Sequence, residues 1–180
     1  IKLDGTPLTI GEVKHKINLW LAERGAENPE GTIFAIGRDA GVPHSTGNNS
    51  DVITLGKSIV FDIFPCEQGG GYFYDFTRTW SLGYATDEVL QAYEQVQKIY
   101  FDLVKGLKQG ERFSTYQEQT CNFFESHGHP TIMNQPDTNE GYVHSIGHGL
   151  GLNVHERPFS SMIMTPDHKI QPGSVFTIEP

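Results

Sequence analysis

Cysteine is scarce in this sequence of 180 residues, which contains only Cys66 and Cys121. The two lie far apart and form no Cys-x-x-Cys pair, so the pattern favours buried thiols over a disulfide framework. Thiols persist in compartments that are kept reduced. This cysteine usage therefore predicts a reducing environment, and we expect a cytoplasmic protein.

Positively charged residues are few, and long apolar runs are absent from the sequence. The chain carries 13 Lys and Arg residues against 22 Asp and Glu residues, a formal net charge of −9 at pH 7. Nucleic-acid binders draw much of their affinity from Lys and Arg on phosphates, so this balance argues against a nucleic-acid partner. No apolar run approaches the ~20 residues of a membrane span, which argues against a membrane partner. The carboxylates remain available for metal ions.

Three segments have the spacing of amphipathic helices. Thr9 and Glu12 have the form of a capping box and predict a helix over about 10–24. Thr86 or Asp87 is expected to begin a second helix, and Ser114-x-x-Gln117 a third that ends near Gly128. The predicted inward face of the second helix comprises Val89, Tyr93, Val96, Tyr100, Leu103 and Leu107. The predicted inward face of the third comprises Tyr116, Thr120, Phe123 and Phe124.

Four segments are typical of strands. The segment "GTIFAIG" (31–37) is short and apolar, and segments 58–65 and 71–81 flank the glycine triplet Gly69 to Gly71. A turn at the triplet predicts a β-hairpin. A last strand is expected from Ser174 to Glu179. Together with the helices, this order predicts an α+β domain in which helices cover one face of an antiparallel sheet.

Acidic residues interrupt several of these apolar strands. Asp62 lies in "SIVFDIFP", Asp75 in "YFYDFTRT" on the facing strand, and Glu179 near the end of "SVFTIEP". A carboxylate in such a place is costly to bury unless it is paired or bound to metal. Two carboxylates brought side by side share either a proton or a cation. The alternative is that Asp62 pairs with Lys57 or Arg78 while Asp75 and Glu179 face water.

A histidine-rich stretch, "VHSIGHGLGLNVHERP" from Val143 to Pro158, contains His144, His148 and His155. The first two are four residues apart, as in the helical zinc motif H-E-x-x-H, but no Glu follows His144. Three glycines interrupt the segment, each costing about 1 kcal/mol in a helix interior. The segment is therefore predicted to be extended or looped, with glycines that let the backbone approach a metal closely.

Asp62, Asp75, His148 and Glu179 together offer three carboxylates and one imidazole. This donor set suits divalent Mn, Co or Zn, and its carboxylates can bridge two ions. Paired ions about 3.5–4 Å apart activate water and polarise a carbonyl. From these residues alone, a hydrogen-bonded core histidine or a mononuclear oxygenase site stays open.

The sequence resembles the pita-bread metallopeptidases, which include methionine aminopeptidase, aminopeptidase P and prolidase. Four blocks carry the resemblance in the family's order, spanning about residues 9 to 180: "GVPHSTGN", "FDIFPCEQGGGYFYDFTRT", "HSIGHGLGLNVHERP" and "FTIEP". The resemblance implies the pita-bread fold, with a curved antiparallel sheet covered by helices. It also implies two divalent metal ions (Mn, Co or Zn) and a peptide substrate.

The resemblance also implies a role for each matching residue. Asp62 resembles the family's terminal aspartate ligand, Asp75 the bridging aspartate, and His148 the single histidine ligand. Glu179 resembles the first glutamate ligand, which is also proposed as the general base for the metal-bound water.

The remaining histidines resemble residues that contact the substrate. His155 resembles the histidine that steadies the scissile peptide and its tetrahedral intermediate, and His44 the upstream histidine near the leaving group. His144, four residues before the ligand histidine, and the later "HERP" resemble the branch that handles proline. The expected reaction is therefore hydrolysis of Xaa-Pro bonds, near the N-terminus of peptides or in dipeptides, by metal-activated water.

One part of the family's site is expected beyond this sequence. The family's fifth ligand is a glutamate on a later strand, and its catalytic domain usually follows an N-terminal domain. We therefore expect residues 1–180 to be a truncated metallopeptidase catalytic domain, incomplete at the C-terminus. An exposed sheet edge there would favour association into a homo-oligomer.

Two other functions fit the same fold. A creatinase-like C–N hydrolase and a non-catalytic module that binds peptides or proteins both typically lack the full ligand set. Retention of Asp62, Asp75, His148 and Glu179 favours the peptidase over both.

Overall fold

The computed structural model describes residue 2, residues 4–160 and residues 168–180. It contains two compact units, Ile1–Leu90 and Gln91–Pro180. Within the described part of the chain, no helix is both long enough and apolar enough to cross a bilayer. Cys66 and Cys121 are buried free thiols, as their spacing predicted.

The first helix of the N-terminal unit, α1 (Ile10–Ala22), begins at the predicted capping box. The Thr9 hydroxyl accepts the Glu12 N–H, and the Glu12 carboxylate accepts the Thr9 N–H at 3.0 Å. Such a cap contributes about 1 kcal/mol. Ile10 and Ile17 are buried, each adding about 1.5–3 kcal/mol. The prediction for this helix is confirmed, with an end two residues earlier than expected.

The strands of the N-terminal unit are β1 (Ala26–Glu27), β2 (Thr32–Ile36), β3 (Ser58–Ile63), β4 (Cys66–Glu67) and β5 (Phe76–Ser81). An antiparallel sheet in the order β2-β3-β5 forms the centre of this unit. A 3₁₀ turn covers Asp39–Gly41, and β1 pairs with β4. The α1 isoleucines pack against the sheet residues Phe34, Ile36 and Ile59, so one face of the sheet is covered by the helix.

The predicted hairpin is confirmed, but its second strand is shorter than expected. β3 and β5 pair directly, and β5 begins at Phe76 rather than at residue 71. The chain first turns through Gly69 and Gly70, whose φ angles of +87° and +94° favour glycine. Residues 71–75 make only an isolated bridge, between Phe73 and Cys66.

The C-terminal unit packs around the third helix. Its elements are α2 (Asp87–Gly106), α3 (Phe113–Ser126), β6 (His148–Gly149) and β7 (Glu156–Phe159). The helix α2 begins four residues before the unit. Its core comprises Ile99, Leu103, Phe113, Tyr116, Cys121, Phe124, Tyr142, Ile146 and Ile170. Three of the four α3 residues predicted to face inward are buried, and Phe123 is half-buried.

The predicted inward face of α2 is wrong at three positions, although Val89 is half-buried. Tyr93 is 47% exposed, and Val96 and Tyr100 are also exposed, whereas Ile99 is buried and Leu103 is 1% exposed. Ile99 and Leu103 are one helical turn apart and define a buried stripe. The tyrosines lie on an adjacent stripe, so the apolar surface of α2 is wider than its buried face.

The predicted start of α3 is also wrong. The helix begins at Phe113, with Arg112 in the cap position and no side-chain cap, so Ser114 lies inside the first turn. The Phe113 ring is fully buried, and its N–H donates to the carbonyl of His168 at 2.7 Å. A tertiary contact therefore satisfies a first-turn donor, and Gln117 does not act as a capping partner.

Candidate metal centre

Two extended segments of the C-terminal unit bring His148 and Glu179 together. The Thr177 N–H donates to the His148 carbonyl at 2.9 Å, and the Glu179 N–H donates to the Ile146 carbonyl at 2.7 Å. This antiparallel pairing includes an isolated bridge between Gly149 and Phe176. Segment 174–179 is extended as predicted, although it pairs too irregularly to form a complete strand.

The His148 ring is oriented by a hydrogen bond at its far side. Nδ1 lies 3.0 Å from the carbonyl of Gly149, its own neighbour in the chain. A carbonyl accepts, so Nδ1 carries a proton, and in the neutral ring Nε2 holds the lone pair that a metal would bind. Metal-binding histidines are typically held by such a bond on the other nitrogen. His148 is 7% exposed, and the orientation of its ring fits a metal ligand.

Glu179 presents a carboxylate oxygen to that lone pair. Oε1 of Glu179 lies 3.5 Å from Nε2 of His148. Within the residues that the structure describes, this buried oxygen has no hydrogen-bond partner. A divalent cation between them would bind a carboxylate oxygen and an imidazole nitrogen at once. The donor set of this pair therefore fits a metal ion.

Two of the three glycines of the motif are required by close backbone packing. A Cβ on Gly147 would lie 2.1 Å from the carbonyl oxygen of Thr177, and one on Gly149 would lie 2.1 Å from that of Arg157. A Cβ on Gly151 would meet only the carboxylate of Glu156, the end of a flexible side chain that can move away. The first contact belongs to the same pairing that aligns His148 with Glu179.

Replacing Gly147 with alanine is therefore expected to separate the two paired segments. The clash is with a backbone atom, so we expect a loss of about 1–3 kcal/mol of folding free energy and weaker metal binding. Chemical denaturation and calorimetric titration with Mn²⁺ measure both effects. Gly106→Ala is the matched control, because a Cβ there meets no described atom within 4 Å. Equal stability of the two variants would contradict the packing argument.

His155 lies beside His148, and its side chain is exposed. The two ring centroids are 4.2 Å apart, at an interplanar angle of 53°. An exposed imidazole next to the candidate ligand His148 can reach a bound substrate. His144 is half-buried, with Nδ1 2.8 Å from the Ser145 carbonyl and its ring edge-on to Tyr142 at 5.0 Å.

Tyr142 is a titratable group of this region whose pKa is displaced. Burial raises the pKa of Tyr142 well above its usual value, and the neighbouring Cys121 and Glu179 add to the shift. The phenol therefore stays neutral throughout the physiological range, so Tyr142 does not act as a base here.

In the N-terminal unit, the strand register determines which residue lies opposite Asp62. Asp62 on β3 is opposite Thr77 on β5, whose hydroxyl donates to its carboxylate at 2.7 Å. Asp75 comes directly before β5, the strand that pairs with the strand of Asp62. Arg78 is opposite Phe61 and therefore points to the other face. The register does not favour the predicted alternative of an Asp62–Arg78 pair.

His44 occupies an exposed turn of the same unit. Its φ of +60° is in the left-handed region, which non-glycine residues adopt uncommonly. Such conformations recur at functional sites, where the surrounding structure maintains them.

Two polar residues of the site have no signal in the sequence. The Thr177 hydroxyl accepts the His148 N–H at 3.1 Å, and Gln117 on α3 binds the backbone two residues before His148. Both contacts join residues 29 positions apart, so neither helical nor strand periodicity could indicate them.

The chain is similar to known proteins in both sequence and fold. The sequence is 30% identical over 170 residues to Xaa-Pro dipeptidase from Pyrococcus horikoshii, matching 94% of this chain and 44% of that protein. The fold is similar to a crystal structure of the prolidase from Pyrococcus horikoshii, with a TM-score of 0.80 and 29% identity. That match covers 97% of this chain and 46% of the prolidase.

A second solved structure is also similar. It is an X-prolyl aminopeptidase from Caenorhabditis elegans, described as a cytosolic enzyme with a di-nuclear active site. The TM-score is 0.77 at 25% identity, and the match covers 99% of this chain and 28% of that protein. The chain thus spans less than half the length of each of these relatives.

The structural neighbours have the pita-bread fold, which confirms the fold that the sequence predicted. The profile of Metallopeptidase family M24 matches residues 7–180, nearly the whole chain. The chain therefore belongs to metallopeptidase family M24.

Proposed function

We propose that this protein hydrolyses Xaa-Pro peptide bonds with a pair of divalent metal ions. The observation that carries the proposal is the facing pair of His148 Nε2 and Glu179 Oε1, 3.5 Å apart. The contact of Nδ1 with the Gly149 carbonyl orients the ring so that Nε2 faces Glu179.

In this proposal Asp62, Asp75, His148 and Glu179 hold the metal ions. Asp62 lies on β3, and Asp75 comes directly before the paired strand β5. In the proposal, the two carboxylates serve a common cation rather than repel each other. Bound metal would supply a water of lowered pKa and polarise the substrate carbonyl. Mn, Co and Zn all suit such a donor set.

The chain's own residues then orient the substrate and transfer the proton. Glu179 accepts the proton of the attacking water through a carboxylate oxygen, and the proton passes to the proline nitrogen as the C–N bond of the peptide breaks. His155 donates a hydrogen bond to the oxygen of the scissile carbonyl, where negative charge develops. His144 contacts the substrate on its far side, and His44 lies near the leaving group.

The preference for proline rests on the motif and on the relatives. His155 and Pro158 belong to the "HERP" segment, and His144 stands four residues before His148. The relatives are named Xaa-Pro dipeptidase, prolidase and X-prolyl aminopeptidase. The last of these is described with a di-nuclear active site, which supports two ions here. We propose that residues 1–180 form the metal-binding part of a catalytic domain.

Turnover of Xaa-Pro peptides tests this function. The full-length protein, loaded with Mn²⁺, Co²⁺ or Zn²⁺, is expected to cleave Xaa-Pro dipeptides or longer peptides with Xaa-Pro at the N-terminus. Matched Xaa-Ala peptides are the control for proline specificity, and a chelator should abolish cleavage. Absence of turnover on every Xaa-Pro length with all three metals would refute the proposal.

A further inference from the structure

Gln117 is a buried polar residue of α3 whose amide binds two backbone groups of the histidine-rich segment. The side chain is 1% exposed. Its Oε1 accepts the N–H of Ile146, and its Nε2 donates to the carbonyl of His144 at 3.1 Å. Because one partner can only donate and the other can only accept, the orientation of the amide is determined.

These two hydrogen bonds satisfy backbone groups that a neighbouring strand would otherwise bind. In an extended segment, the carbonyl of residue i and the N–H of residue i+2 point to the same side. A β-strand would satisfy both groups, and here the single carboxamide of Gln117 does so. Without it, two buried backbone groups would lose their partners at this edge. An amide is the neutral side chain that offers both a donor and an acceptor at this spacing.

The bond to Ile146 continues across the segment to Glu179. The Ile146 carbonyl accepts the N–H of Glu179 at 2.7 Å, so Ile146 is held on both sides. Ile146 also precedes His148 by two residues. One residue held by Gln117 is therefore linked to both members of the His148–Glu179 pair, through the chain on one side and a hydrogen bond on the other.

The helix that carries Gln117 is firmly anchored. Phe113 and Tyr116 are fully buried beside it and belong to the main core of the unit. The Tyr116 hydroxyl accepts the backbone N–H of Lys108 at 2.8 Å. The amide thus belongs to a buried part of the unit. The packing of the helix therefore holds its two hydrogen bonds in place.

We propose that Gln117 is a positioning residue that aligns His148 with Glu179 for metal binding. The proposal rests on the proposed function for its metal, but its structural part concerns only the segment around Ile146. It predicts that removing the amide misplaces the ligand pair without removing any ligand atom.

Gln117→Met tests the proposal, since methionine keeps the length of the side chain and removes both hydrogen-bonding atoms. Metal affinity, measured by titration calorimetry with Mn²⁺, is expected to fall about 10–100-fold, as for other residues that orient ligands. In metal-free protein, amide exchange at Ile146 is expected to accelerate roughly tenfold. The Co²⁺ absorption spectrum should also shift, because the ligand geometry changes.

Thr120→Val is the matched control. Thr120 is fully buried on the same helix, and its hydroxyl donates within the helix to the Tyr116 carbonyl at 2.8 Å. This variant is expected to keep wild-type metal affinity. If Gln117→Met fails to fold, Gln117→Glu carries the test. It keeps an acceptor for Ile146 but sets an oxygen against the His144 carbonyl, and reduced affinity is again expected.

Wild-type affinity in the folded Gln117 variant would overturn the proposal, as would equal losses in the Gln117 and Thr120 variants. If the wild-type protein binds no metal, the proposed function fails instead. The exchange measurement on metal-free protein then decides the positioning role by itself. Unchanged exchange at Ile146 and Glu179 would refute that role.

Discussion

Replacing His148 with alanine is expected to abolish tight metal binding and, with it, peptide hydrolysis. The substitution removes the nitrogen that faces Glu179 Oε1 at 3.5 Å. Changes to residues that only orient a ligand cost about 10–100-fold in metal affinity, so loss of the ligand itself should exceed about 100-fold.

Titration calorimetry with Mn²⁺ and metal analysis after dialysis measure this loss. His127→Ala is a suitable control, because that histidine is exposed at the end of α3 and binds the Phe123 carbonyl of its own helix. The control should retain its metal. Tight metal binding by the folded His148 variant would remove this residue from the proposed ligand set.

Replacing His155 with alanine is expected to have a different effect, in which metal is retained and turnover is lost. His155 lies beside the His148 ring with its own side chain exposed, so it can contact substrate without binding metal. Removing a single donor to a developing oxyanion costs about 10²–10³ in kcat. We expect a loss of that size in kcat for an Xaa-Pro peptide.

The informative comparison is between the two histidine variants. Metal content and kcat are measured for both under the same loading conditions, with KM determined separately. His155→Gln should recover part of the lost kcat, because glutamine keeps a hydrogen-bond donor. Equal metal loss in the His148 and His155 variants would contradict the division of roles between them.

Local signals in the sequence were sufficient for much of the fold. The capping box at Thr9 and Glu12 depends on residues three positions apart, so it could be predicted and was confirmed. The pairing of β3 with β5 followed from two apolar segments joined by glycines. The glycine turn between those segments also predicted that Asp62 and Asp75 belong to neighbouring parts of the chain.

Tertiary contacts determined what local signals could not. The exposed stripe of α2 is as apolar as its buried stripe, so periodicity alone could not distinguish Tyr93 from Leu103. The start of α3 depends on a bond from Phe113 to His168, far along the chain. Gln117 has the spacing of a capping residue, yet it binds Ile146, 29 residues away.

The candidate site was predictable where a motif marks its residues. The glycines around His148 indicated close backbone contact, and the structure assigns two of those contacts to Thr177 and Arg157. The pairing of His148 with Glu179 depends on strand register between distant segments, which the resemblance to the family implied and periodicity did not. The metal-binding and catalytic roles themselves remain proposals for experiment.

The number of metal ions bound per chain tests the central claim most directly. The full-length protein is freed of metal, equilibrated with excess Mn²⁺ or Co²⁺, dialysed, and analysed by mass spectrometry of the elements against protein concentration. The account predicts two ions per chain for the wild-type protein, with both lost on prolonged chelation. A protein that is folded but binds no ion, or only one, under these conditions would contradict a dinuclear centre.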